Sequence, residues 1–198
     1  MSHYNEILKN IQQHIENLFS QCNVDYLLYH NLAHTNFVVE RTKEITANYS
    51  LDESEHFIVS ASAWFHDTGH LTGAPQFHEN RSVVIMKSFF EGKEVLHSVI
   101  DKIESCICAT KLFQKPKSLL EEILCDADTY NLGTKDFTKT DELLKNELLY
   151  RGVDTSNWVE KTLQLLRKHK YFTPYCQSVL NAGKQENIRL MKSDLQDK

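Results

Sequence analysis

The chain has 198 residues, 22 basic and 27 acidic, for a net charge of −5. That length suits one domain that buries roughly 70% of its unfolded surface, and a single domain over residues 1–198 is expected. No basic block marks the chain for a nucleic-acid polymer, no apolar run reaches membrane length, and residues 1–22 carry no apolar signal core, so a cytoplasmic protein is expected.

In chain order, Ile7, Ile11, Ile15 and Leu18 recur at helical spacing and predict an amphipathic first helix. A second helix is expected to open at His30–His34 and to continue through Phe37, Val38, Arg41 and Ile45. Asp52 and Glu55 form a cap leading into a mostly apolar, buried helix over Phe57–His70, which Gly73-Ala74-Pro75 interrupts. Further helices are read over Asn80–Phe90 (stopped at Gly92), Val95–Leu112 (stopped before Pro116) and Ser118–Tyr130 (ending near Gly133). Leu143–Tyr150 and Trp158–His169 follow, and Pro174 interrupts before Gln177–Met191. Lys192–Lys198 reads as a polar, frayed tail. With no strand-like alternation, repeat or low-complexity linker, the expected fold is all-α, a compact multi-helix bundle. The five cysteines include no usual zinc pairing and read as free thiols packed in helices.

Ten histidines are many for this length, and they gather around two motifs. His30-Asn31-Leu32-Ala33-His34 would place two imidazoles one helical turn apart. His66-Asp67 ends the apolar run Ile58–Phe65, where two ionisable groups are costly unless something pairs with them. A divalent metal suits that mixture of imidazole nitrogen and carboxylate oxygen. A further carboxylate is needed, and Asp126-Ala127-Asp128 offers two. Residues two apart on a helix do not share a face, so one should point to the site and the other elsewhere, for example to orient a ligating imidazole. His70 reads as a ligand, a partner of a ligand or a helix-end cation. His3, His14, His56, His97 and His169 read as ordinary surface or packing histidines.

His34, His66-Asp67 and a late aspartate in an Ala-Asp dipeptide, in this order on a helical chain, resemble the HD-domain superfamily of metal-dependent phosphohydrolases. The resemblance runs from about Tyr29 to Gly133. It implies His34, His66, Asp67 and Asp128 as metal ligands and prefers Asp128 to Asp126. His30-Asn31-x-x-His34 with His66-Asp67-x-x-His70 is also similar to the metal site of cyclic-nucleotide phosphodiesterases, which implies that His30 donates a proton to the leaving group. The chain is much shorter than those enzymes, without their extended nucleotide-binding region, and it lacks the Gly-Tyr-Pro of the cyclic-di-GMP branch.

Members with two metals carry further histidines after His-Asp. His78 is the candidate here, for a second ion or for substrate, but Thr110 stands where another His often occurs, so one tightly bound ion is expected. Manganese, magnesium, iron, cobalt, nickel and zinc all suit the donor set. Lys111 and Arg81 are candidates for phosphate contacts.

The expected activity is therefore hydrolysis of a small phosphoester, nucleotides included, by metal-activated water with Asp67 and His30 as the catalytic pair. A metal-binding sensor or binding module without turnover, and a di-iron oxygenase, are the alternatives. No membrane partner is expected, and apolar residues on the terminal helices would allow a homodimer.

Overall fold

The computed structural model describes residues 3–22 and 24–196, without the side chains of 194–196. Among these residues the chain is entirely helical: nine α-helices, two short 3-10 turns and no strand.

Helix α1 (His3–Gln21) buries Ile7, Ile11, Ile15 and Phe19, while Leu18 is half-buried. Helix α2 (Leu32–Thr46) starts later than the motif suggests. Asn31 is its N-cap, with a side chain that accepts from the backbone N–H of Ala33 and His34. His30 therefore lies ahead of the helix, and the two imidazoles are not stacked on one helical face. Helix α3 (Glu53–Phe65) opens on the expected capping box between Asp52 and Glu55. Its residues from Phe57 on are buried except Ser60, so it is covered on nearly every side, by α1, α2, α5 (His97–Ala109) and α6 (Leu119–Asp128). A fully surrounded helix must be apolar all round, and Ser62 is tolerated because its hydroxyl donates to the Ile58 carbonyl.

The apolar helix does not run on to His70. It ends at Phe65, and a 3-10 turn, Thr68–Thr72, carries the chain away. This turn packs tightly on α4 (His78–Phe90): a Cβ at Gly69 would lie 2.0 Å from the His78 carbonyl oxygen. Only glycine permits that approach, which brings the His70 and His78 segments together. Gly92, at φ 72, follows α4.

A second 3-10 turn, Tyr130–Gly133, follows α6. Helices α7 (Phe137–Tyr150) and α8 (Trp158–Lys168) come next, α7 beginning six residues before the expected Leu143. Pro174 opens α9 (Pro174–Gln196) rather than interrupting it, since proline at a first helical position forfeits no hydrogen bond. The helix runs through most of the stretch read as a frayed tail, and residues 197 and 198 lie outside the described part. A small second core of Leu132, Phe137, Leu163, Leu166, Ile188 and Met191 joins α7, α8 and α9 to the second turn. There a Cβ at Gly183 would meet the Gly133 carbonyl oxygen at 2.0 Å, so α9 lies directly on the turn that follows Asp128. No helix among the described residues is long and apolar enough to cross a membrane.

Candidate metal centre

Four side chains from three elements converge where the C-terminal ends of α3 and α6 meet the first turn of α2. His34 is held in that turn by the Asn31 cap. His66 follows the last residue of α3 and is fully buried. Asp67 sits at φ −109, ψ 4, a sparsely populated backbone region that turns its carboxylate back beside His66. Asp128 closes α6 and is half-buried.

Their acceptor atoms form a tight group. His34 Nε2 lies 3.4 Å from His66 Nε2, and both nitrogens face Asp67 Oδ2, at 3.3 and 3.2 Å, and Asp128 Oδ1, at 3.3 and 3.6 Å. His66 Nδ1 is 2.8 Å from the Ala63 carbonyl oxygen, which can only accept. The proton of a neutral ring is therefore on Nδ1, and Nε2 faces the cluster with a lone pair. Two imidazole nitrogens and two carboxylate oxygens pointing at one small volume leave the group short of positive charge. Donors bonded at ~2.1 Å to one ion stand about 3.0–3.4 Å apart, close to the spacing here, so these residues fit a divalent metal.

The local electrostatics agree. Burial opposes the charged form of His66, yet Asp67 and Asp128 outweigh it and raise its pKa well above the histidine range. Burial likewise opposes an ionised Asp67, but His66, His34 and His78 hold it well below the carboxylate range. Asp128 is lowered in the same way by His34 and His66.

A second layer of histidines lies on the other side of Asp67. The rings of His30 and His70 stack at 3.9 Å, and those of His70 and His78 at 4.0 Å. His78 Nδ1 donates to the Pro75 carbonyl, and its Nε2 lies 3.4 Å from Asp67 Oδ1. His30, Asp67 and His70 form another group able to converge on an ion, but hydrogen bonding restricts it. Arg151 Nη1 lies 2.7 Å from His70 Nδ1. A guanidinium N–H can only donate, so Nδ1 accepts and the neutral ring carries its proton on Nε2. That buried Nε2 has no hydrogen-bond partner, and Asp67 Oδ1 is 3.9 Å away. His70 is thus set as a donor toward Asp67, not as a lone-pair ligand.

Two residues that sequence reading missed hold this layer. Glu147, on α7 and fully buried, receives His30 Nδ1 at 2.6 Å and the backbone N–H groups of Tyr29 and His30 at 2.8 and 2.9 Å. Arg151, one turn on, bridges Glu147, His70 and the Gly73 carbonyl. Burial opposes ionisation of Glu147, but these His30 and backbone donors lower its pKa to about 2. In sequence, Glu147 and Arg151 look like an ordinary i,i+4 surface pair.

The remaining candidates separate. His30, Asp67, His78, Lys111 and Asp128 line one cavity of about 470 Å³. Arg81 does not: its guanidinium donates to the carbonyls of Gly69, Ala74 and Gln76, tying down the loop before α4, so it is spent on backbone rather than left for phosphate. Asp126 turns away from the cluster, as its spacing required, but it does not orient a ligating imidazole. It accepts from the backbone N–H of Phe172 and Thr173 and from the Thr173 hydroxyl, fastening the segment before α9. His97 and His56 are exposed, as expected. His169 is less ordinary than its sequence context suggested: it is half-buried, with Nε2 3.0 Å from the hydroxyl of Thr129, the residue after Asp128.

Neither protein-family models nor curated proteins give a match. Among solved structures, the crystal structure of the Lin1889 protein from Listeria innocua is similar over 98% of each chain, with 15% sequence identity and a TM-score of 0.65. At that identity the likeness concerns the fold.

Proposed function

We propose that this chain is a metal-dependent phosphohydrolase of the HD-domain superfamily, acting on a small phosphoester such as a nucleotide. One observation carries the reading: four metal-competent acceptors converge, and two of them, Asp67 and Asp128, open on a cavity that also holds a histidine fixed by a buried carboxylate. A likeness in fold alone would not suffice, since one fold serves many chemistries.

His34, His66, Asp67 and Asp128 would hold one divalent ion. When bound, such an ion lowers the pKa of water and offsets charge on a phosphoryl oxygen. His30 keeps a proton on Nδ1, shared with Glu147, which leaves Nε2 to deliver a proton to the departing oxygen. Glu147 fixes the direction of that ring. The Nε2–H of His70 is a donor beside Asp67, suited to a substrate oxygen or a water. Because Arg151 claims the other nitrogen of His70, the geometry favours one tightly held ion over two, which weighs against di-iron chemistry.

Release of inorganic phosphate or alcohol from a panel of phosphomonoesters and phosphodiesters, with added manganese or magnesium, tests the reading. Turnover that depends on the ion and falls in His30→Ala without loss of bound metal supports it. Stoichiometric metal with no turnover on the panel would favour a binding module instead.

A further inference from the structure

The cavity of the metal centre does not end at Lys111. Thr110, Lys111, Leu112, Thr129 and Leu165 form a shared wall with a second lobe of about 300 Å³ between the segment after α5 and the end of α8. The two lobes have opposite charge. The first is lined by Asp67, Glu79, Asp128 and Asp141, with Lys111 its sole lysine or arginine. The second is lined by Lys111, Lys115, Lys168 and Lys170 and by no carboxylate. On a chain of net charge −5 this segregation is not the mixed surface expected of a solvated face. None of the four lysines makes an ion pair among the described residues, as holds for most lysines of the chain, so it is their gathering around one lobe without a carboxylate that marks the place.

The backbone at the lobe carries a second, independent mark. Phe113 is held at φ 66 with its ring 65% exposed, and the Lys168 ammonium lies 5.8 Å from the ring centroid. Phe77, on the wall of the first lobe, is likewise at φ 60 and 68% exposed. A bulky residue in the left-handed region is strained, and such strain gathers at ligand clamps. Here it falls at both ends of one cleft, each time on an exposed aromatic ring.

We propose that the second lobe is a subsite for a second phosphoryl group, so that the substrate is an elongated molecule carrying one phosphate at the metal centre and another among the lysines. This rests on the phosphohydrolase reading for the identity of the first group. The body between them crosses Leu112 and Leu165 and is therefore largely apolar or planar. Ammonium groups act on phosphate as point charges, and four unpaired ones beside an acidic lobe select substrates with charge at both ends.

The test is a titration of the full chain, with manganese, using 4,4′-biphenol bisphosphate, the monophosphate of 4-phenylphenol and 4-phenylphenol itself, which share a planar apolar body and differ in the phosphates at its ends. The bisphosphate should bind about tenfold tighter than the monophosphate. The double variant Lys168→Glu/Lys170→Glu should abolish that difference. Lys9→Glu/Lys102→Glu, the same charge change on exposed residues of α1 and α5 away from the cleft, should keep it. Equal affinity for the bisphosphate and the monophosphate, or a preference that survives Lys168→Glu/Lys170→Glu, would overturn the proposal. Phosphate release, measured separately, keeps the two readings apart. A bisphosphate preference without hydrolysis retains the subsite and removes the phosphohydrolase, and hydrolysis without the preference does the reverse.

Discussion

His30 Nδ1 lies 2.6 Å from Glu147 Oε1, although 117 residues separate them. Glu147 also caps the backbone N–H groups of Tyr29 and His30, so one buried carboxylate fixes the loop and the ring together. It is α7, outside the stretch with recognisable motifs, that sets the direction of the proposed proton donor.

Glu147→Gln keeps the shape of the side chain and removes its charge. Its amide cannot accept at both ends, so either the ring or the backbone N–H groups lose a partner. Loss of a carboxylate that orients a functional imidazole typically costs about 10- to 100-fold. We expect kcat to fall by about that factor while bound metal stays at the wild-type level. Unchanged kcat in a folded variant would remove Glu147 from the mechanism.

Acid should weaken the fold in two windows. Burial and then Lys184 lower the His169 pKa from 6.5 to about 4. The unfolded chain therefore takes up that proton first, and stability falls as pH drops from 6.5 toward 4. Glu147 is lowered from 4.5 to about 2, so its contribution is complete above 4.5 and is lost between 4.5 and 2. Chemical denaturation across pH, with chelator present, should show both declines. His169→Gln should make the upper one shallower and Glu147→Gln the lower one, without abolishing either, because His70 resists protonation over the upper range and Asp67 and Asp128 are lowered beside Glu147.

Much of the fold was legible, because helix period and capping chemistry are local. The Asp52–Glu55 box, the isoleucine stripe of α1 and the all-helical class follow from neighbours in the chain. The errors came where local pattern met tertiary constraint. His30 and His34 have helical spacing, yet Asn31 starts the helix between them and Glu147 claims His30. His66, Asp67 and His70 look like one helix end, but Gly69 packs against α4 and turns the chain. At the site, the four acceptors carry a motif, and the structure brings them together. Glu147 and Arg151 were not, because an i,i+4 acid–base pair has the same sequence pattern whether it is buried or exposed.

His70 should behave as a neutral ring protonated on Nε2. Burial, His30, His78 and Arg151 all oppose its charging, and they outweigh the pull of Asp67. Long-range nitrogen–proton spectra through an acid titration should show that tautomer and no uptake of a proton while the fold persists. A protonated Nδ1 in the folded chain would break the assigned Arg151 contact.

Asp126 and Asp128 should separate in their effects. Asp126 accepts three hydrogen bonds in a buried setting, so Asp126→Ala leaves two backbone N–H groups and a hydroxyl unpaired. That should cost about 2–4 kcal/mol, visible as a lowered Tm, while the folded fraction keeps its metal. Asp128→Asn should lower metal content with little loss of stability. The opposite pattern would exchange their roles.

Elemental analysis of the purified full chain, with Asp67→Asn beside it, tests the central claim most directly. About one divalent ion per chain is expected in the wild type, as purified or after manganese is supplied, because one group of two imidazoles and two carboxylates makes one site. Asp67→Asn should lose that ion while remaining folded by circular dichroism. A wild-type chain that binds no divalent ion, or an Asp67→Asn variant that binds it as fully, would contradict the metal centre and the chemistry built on it.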